Sequence, residues 1–192
     1  IEFFKHKQAV AFTLISGFIT GSFMVYLSTT QHIFEIQYDL GEDFPLIFAS
    51  LAIGVGFATY LNGVYVVRIG MKRIALVSLA AYCLSALLYV VLFFNASNPP
   101  LWVLLTFFVI QFIAVGFLFG NLRALAMQPI GHIAGVGAAI NGFISTVMGV
   151  LIASGIGAYV TTTAWPLFLG FSVCGMVSMV IFILNKPLER TI

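Results

Sequence analysis

The sequence predicts an all-α membrane protein of six transmembrane helices, and three observations predict it. Of the 192 residues, 61% are hydrophobic and only 7% are charged, against about 25% charged in soluble domains. The mean hydropathy is +1.13, so lipid rather than water must solvate most of the surface. Six apolar segments reach the length of about 20 residues that a helix needs to cross about 30 Å of hydrocarbon.

The segments run from Gln8 to Gln31, Phe44 to Val67, Ile74 to Phe94, Leu101 to Met127, Val136 to Val160 and Pro166 to Leu184. Acids and an early proline, Glu42-Asp43-Phe44-Pro45, open the second. Between the third and fourth, NASNPP (Asn95 to Pro100) is a turn. Pro129 and Gly131 end the fourth, and Thr161 to Trp165 separates the last two. The whole chain, 1–192, is expected to form one domain in two halves, about 8–94 and 101–184. It begins Ile1-Glu2, and its first apolar run lacks the form of a signal peptide. The expected start is therefore an internal cut in a longer protein.

Charge fixes a direction. Lys5 and Lys7 precede the first segment, Arg68, Lys72 and Arg73 follow the second, Arg123 lies near the end of the fourth, and Lys186 and Arg190 follow the sixth. If the segments alternate, all eight basic residues fall on one side. Glu35, Asp39, Glu42 and Asp43 fall on the other. The positive-inside rule makes the basic side cytoplasmic, with both termini inside. A net charge of +2 without a long basic cluster leaves nothing for nucleic acid. Cys83 and Cys174 lie in apolar runs and fit neither a disulfide framework nor a metal site.

Polar residues are unevenly spread. The third and sixth segments hold no charge, amide or histidine in their interiors and are expected to face lipid, while the first, second, fourth and fifth should face each other or an aqueous cavity. In the first, Thr13, Ser16, Thr20, Met24 and Gln31 fall within about 60° of one helical line. That stripe is either a cavity wall or a packing face whose hydroxyls bond back to the helix, with Gly17 and Gly21 beside it. Gln111, near the middle of the fourth, either touches a ligand or makes an interhelical hydrogen bond, since a bare amide is expensive there. Asn62 and Asn141, in the inner thirds of their segments, suit gating or helix–helix bonding. Ser145, Gly149, Ala153 and Gly157 recur every four residues, a spacing that lets helices pack closely or slide.

Arg123 is expected either to anchor at the membrane boundary by extending its long side chain, or to make an ion pair or substrate contact. His132, in the link after the fourth segment, is either a polar turn residue or a proton relay, and no titrating partner adjoins it in the sequence. No Asp or Glu lies in the middle of any segment, so a membrane carboxylate that couples transport to protons is not expected in this chain.

The stretch Asn62-Gly63-Val64-Tyr65-Val66-Val67-Arg68-Ile69-Gly70-Met71-Lys72-Arg73 resembles motif A of the major facilitator superfamily, as repeated in the second half of such transporters. Val67 stands where the motif has an acid. Gly116, Asn121, Ala124, Ala126-Met127, Pro129, Gly131-His132 and Ala134-Gly135 resemble the G-x-x-x-P-N-x-x-A-x-A-M-x-P-x-G-H-x-A-G run of the Bcr/CflA multidrug efflux subfamily, with Gly120 in place of the first proline. The resemblance implies the C-terminal half of such a carrier: one lobe of two inverted three-helix repeats in a bacterial inner membrane. It further implies a second, N-terminal six-helix lobe as partner and proton-coupled export of small hydrophobic compounds. Binding would fall to Gln111, Thr20, Met24 and Gln31. Gating, or contact between lobes, would fall to Asn62, Arg68, Gly70, Arg73, Asn141 and Gly149. No cofactor is expected, the proton being the coupling ion.

Rival readings are a half-size transporter that pairs with a second copy, and a membrane subunit that transports nothing. An intramembrane protease of the rhomboid kind needs G-x-S-G within a span. Ser16-Gly17 and Ser154-Gly155 both lack the first glycine, so no enzyme is expected.

Overall fold

The computed structural model describes residues 2–94 and 97–185. Asn95 of the expected turn, and Lys186 and Arg190 of the basic side, lie outside those residues. Among the described residues, every regular element is helical. The α-helices are α1 (Lys7–Gln31), α2 (Phe44–Ile69), α3 (Met71–Leu92), α4 (Leu101–Met127), α5 (Ala134–Gly157) and α6 (Trp165–Leu184).

Five helical stretches are long and apolar enough to cross a membrane, one of them the 57 residues of Leu101–Gly157. Drawn straight, that stretch would reach about 85 Å, nearly three hydrocarbon layers. It does not stay straight. Gln128–Ile133 tightens into a 3-10 turn with Pro129 in its first positions, and Ile130 leaves helical geometry at φ −124° and ψ 31°. The chain reverses there, so α5 returns along α1. Gln8 Nε2, at the start of α1, donates to Leu125 O beside the bend, at 3.1 Å.

Two ends differ from the expected boundaries for local reasons. α1 runs on into a π-helical turn, His32–Gln37. Asp39 then turns the chain at φ 55°. α3 starts at Met71 because Gly70 reverses the backbone at φ 88° and ψ 143°. That conformation is open to glycine and strained for any side chain.

α1, α6, α3 and α4 close into a four-helix ring, each packing on the next and α4 back on α1. α5 lies along α1 and α2 along α4, as flanks without substantial packing on one another. The ring interior is aromatic. Tyr89 and Phe168 stack at 3.8 Å between ring centres, and Tyr26 meets Phe112 edge-on at 4.6 Å. Lipid offers helices no hydrophobic drive to associate, so packing of this kind and hydrogen bonds must hold them.

This arrangement corrects one expectation. α3 and α6 are not merely lipid-facing: α3 buries eight residues, including Tyr82 and Tyr89, against two on α2 and four on α5. On α3 the hydroxyls find partners inside the ring, whereas Ser172 Oγ and Ser178 Oγ of α6 are buried without one. Tyr82 OH donates to Ser22 Oγ on α1 at 2.7 Å. The helices left uncovered are α2 and α5.

The links that follow α1, α3 and α5 meet at one end. His32 Nε2 lies 2.6 Å from Thr161 O, and Gln37 Nε2 donates to the same oxygen at 3.2 Å. Asn98 Nδ2 donates to Gln37 Oε1 at 2.9 Å, and its Oδ1 accepts from Ala164 N at 2.8 Å. Tyr38 OH donates to Pro99 O at 2.7 Å, and burial pushes this phenol up to about 12. The acidic residues Glu35, Asp39, Glu42 and Asp43 belong to this end of the chain path.

Replacing Gly70 by alanine should cost about 1–3 kcal/mol of stability through backbone strain alone. The midpoint of thermal unfolding in detergent should fall accordingly, and an unchanged midpoint would show that the turn relaxes.

Candidate functional site

In the middle of the bundle, no helix carries an acid or a base. Chemistry there is limited to neutral amides, hydroxyls and close backbone contacts. Among the described residues, no three His, Cys, Asp or Glu side chains converge as a metal-binding group would require. The polar contacts instead gather where each flank helix meets the ring.

On one side α5 lies against α1. Asn141 Nδ2 donates to Thr13 Oγ1 at 2.9 Å, and both residues are buried. One helical face further along, Gly149 seats the side chains of Thr20 and Met24. A methyl group added at Gly149 would lie 2.9 Å from Met24 Sδ and 3.6 Å from Thr20 Cγ2. Gly21 of α1 receives Ile152 in the same way, with a hypothetical methyl 2.6 Å from its Cδ1. Small residues at four-residue spacing have therefore drawn two helices together.

On the other side α2 lies against α4. Asn121 Nδ2 donates to Asn62 Oδ1 at 2.6 Å and to Phe117 O within its own helix at 2.8 Å. Here the contact reaches the backbone itself. A methyl on Gly116 would sit 2.7 Å from both Ala58 Cβ and Val55 O. Thr59 Oγ1 also reaches across to Gly116 O at 3.3 Å.

Of the residues expected to bind substrate, the structure brings Thr20 and Met24 together with Gly149 and leaves two elsewhere. Gln31 is exposed at the end of α1 and donates to Glu35 Oε2 at 3.0 Å. Gln111 is completely buried, on the side of α4 that meets α3. Its Nε2 donates to Tyr82 O at 3.1 Å and Ser85 Oγ at 3.0 Å, while Oε1 has no partner. The reason is geometric. Gly116 gives one face of α4 to α2, and the opposite face, where Gln111 lies, packs on α3 inside the ring. Of the two readings the sequence left open for this amide, the interhelical bond is the one the structure contains.

Among the expected gating residues, Asn62 and Asn141 each make one bond across a flank contact. Arg68, Gly70 and Arg73 are exposed around the α2–α3 turn, and Arg123 is exposed near the end of α4. His132 sits in the 3-10 turn, its Nε2 2.8 Å from Glu2 Oε1. The hydrogen bond and positive charge of His132 hold the Glu2 carboxyl below its ordinary value. The partner that no neighbouring residue could supply comes from the far end of the sequence. The partners of Asn62 and Asn141 are also far away in sequence, by 59 and 128 residues. Nothing local announces them, although Thr13 stands on the polar stripe and Asn121 in the motif.

Two variants test these contacts. Gln111→Leu should lower stability in detergent by about 1 kcal/mol, the ordinary worth of interhelical bonds in membranes; a variant as stable as the parent would deny those bonds any net contribution. In a double-mutant cycle of Thr13→Val and Asn141→Leu, the two changes should couple by about 0.5–2 kcal/mol. Strict additivity would mean that the bond does not hold α5 to α1.

Comparison with known proteins places these features in context. The chain is 25% identical over 161 residues to a Bacillus subtilis (strain 168) protein named "Uncharacterized MFS-type transporter YdgK". The match covers 82% of this chain but 39% of that protein, so the chain spans well under half the length of its relative. No protein-family model and no solved structure matches. The long apolar helices support a multi-pass membrane protein.

Proposed function

We propose that this chain is one six-span lobe of a secondary transporter of the major facilitator type, built from two inverted three-helix repeats. The observation that carries the reading is the packing pattern. Exchange α1 with α4, α2 with α5 and α3 with α6, and the set of major helix contacts is unchanged. α1 on α5 becomes α4 on α2, α1 on α6 becomes α4 on α3, and the α1–α4 and α3–α6 contacts map onto themselves. Two like units joined in this way are the ordinary framework of secondary transporters. Similarity to an MFS-type transporter more than twice as long as the match supports the same reading, since it leaves room for a second lobe.

The uncovered flanks give the lobe its task. α2 and α5 expose large apolar side chains, among them Phe57 and Tyr60 on α2 and Phe143 and Leu151 on α5. In the complete carrier these helices meet the N-terminal six-helix lobe. They shift against α4 and α1 along the glycine contacts as the cavity opens to alternate sides. Asn62–Asn121 and Asn141–Thr13 hold the flanks in register, and the turn at Arg68, Gly70 and Arg73 closes the cytoplasmic side. Thr20 and Met24 contribute the wall nearest α5, with Gln31 at its outer rim. Gln111 has no place on that wall, because it faces α3.

The substrate is a small, largely apolar molecule, for which a methionine side chain is an adaptable surface. The motif around Gly116, Asn121, Pro129 and His132 favours drug export driven by protons in a bacterial inner membrane. Basic residues on one side put both termini in the cytoplasm. The coupling carboxylate then belongs to the other lobe.

The test is transport by the natural-length protein in everted membrane vesicles. A lipophilic cationic dye should accumulate against its gradient, and a protonophore should abolish the accumulation. Dye movement that survives the protonophore would remove proton coupling. Absence of movement across a panel of such dyes would remove drug export.

A further inference from the structure

We propose that the groove between α2 and α3 at the basic end binds an anionic phospholipid, its acyl chain in the slot and its phosphate against Arg73 and Arg68. The slot encloses about 280 Å³ and is lined by Tyr65 and Ile69 of α2, Arg73 and Val77 of α3, and Phe117 of α4. It opens outward: Tyr65 is 44% exposed and Val77 68%. Ile74 and Ser78 complete the lining, and apart from Arg73 and the Tyr65 and Ser78 hydroxyls it offers only hydrocarbon, which suits a chain rather than a free ion. The stretch from Asn62 to Arg73, which supplies Tyr65, Ile69 and Arg73 to the lining, also carries Arg68 and Lys72 and no acid. Arg68 and Arg73 are both exposed there. An apolar slot ending beside fixed positive charge complements a molecule with an oily tail and an anionic head. In a bilayer, that molecule is an anionic lipid of the adjoining leaflet.

The fold supplies its own control. Under the repeat exchange the α2–α3 groove corresponds to one between α5 and α6, and such a groove exists. It encloses about 240 Å³ and is lined by Gly155, Ile156, Tyr159, Pro166, Leu169, Gly170 and Val173, with no cation among them. Two grooves of similar size and lining thus differ in charge. The second accepts a chain without regard to its headgroup; the first selects an anion. The assignment needs only that the protein lies in a membrane and does not depend on what it transports.

The experiment uses the natural-length protein in mild detergent, titrated with phosphatidylglycerol or phosphatidylcholine of identical acyl chains and read by native mass spectrometry. The parent should bind phosphatidylglycerol at least about fivefold more tightly, and Arg68→Ala and Arg73→Ala should each reduce that preference by about fivefold or to nothing. Val77→Trp should obstruct the slot and weaken both lipids. Val173→Trp, in the uncharged groove, should leave the headgroup preference intact. Glycerol phosphate, which has no acyl chain, should not displace the bound lipid. Equal binding of the two lipids by the parent would overturn the assignment, as would a preference that survives Arg68→Ala/Arg73→Ala. Displacement by glycerol phosphate would mean a bare anion site and would overturn it as well. Should Val77→Trp fail to fold, the arginine variants and the competition still decide.

Discussion

Hydrocarbon cannot press two helices together, because a leucine is no worse off beside lipid than beside another leucine. Helices in this chain must therefore touch closely enough for dispersion and hydrogen bonding to favour protein over lipid. Glycine makes that possible at both flank contacts. Gly116 lets α4 meet the backbone of α2 itself, with Val55 O and Ala58 Cβ where a side chain would otherwise begin. Gly21 and Gly149 do the same between α1 and α5, though the surfaces they meet are side chains, Ile152 and Met24. The two contacts are equivalent in topology and different in texture: one is backbone on backbone, the other cushioned by a flexible thioether.

Within the ring the balance is different. Large rings fill the space between α1, α3, α4 and α6, and polar side chains pair where α1, α3 and α4 meet, while Ser172 Oγ and Ser178 Oγ on α6 are buried without a partner. Ser22 Oγ accepts from Tyr82 OH and donates to Ile19 O at 2.9 Å, so one hydroxyl links α3 to the backbone of α1. Gln111 binds α4 to α3 one step away. The same low-dielectric setting that strengthens these bonds makes an unpaired group costly. The polar core is accordingly small and local to the place where three helices converge. Each ring helix packs on two ring neighbours, whereas each flank is held mainly along one side.

Much of this was written locally in the sequence. Helix length follows from hydrophobic run length, and the runs ending at Gln31 and Met127 match the ends of α1 and α4. Pro129 marked the bend because a proline acts on its own backbone; Gly70 was expected only as a gating residue, and the reversal it makes emerged from the fold. What could not be read locally was which face of each helix meets which neighbour. Gln111 shows why. Its depth was plain from its position, but a buried amide satisfies the same need beside a cavity or beside a serine, and Ser85 is 26 residues away. The polarity count erred on α3 and α6 for a related reason. On α3, tyrosine and serine carry bonds inside the ring, Tyr82 to Ser22 and Ser85 to Gln111; α6 is buried there by its apolar side chains, Phe168 and Phe171 among them.

The placement of charge has a consequence for how the molecule responds to voltage. Moving one elementary charge through a potential of 100 mV is worth about 2.3 kcal/mol. Between Lys7 and Glu35, between Arg73 and Arg123, and from Arg123 through α6, the chain has no Asp, Glu, Lys or Arg. A tilt of α5 therefore takes no charged side chain across the electric field, and a tilt of α2 takes only Arg68, in its last turn. On the reading proposed above, motion of these helices couples to voltage only through that one arginine at the edge, and any larger sensitivity to potential originates elsewhere.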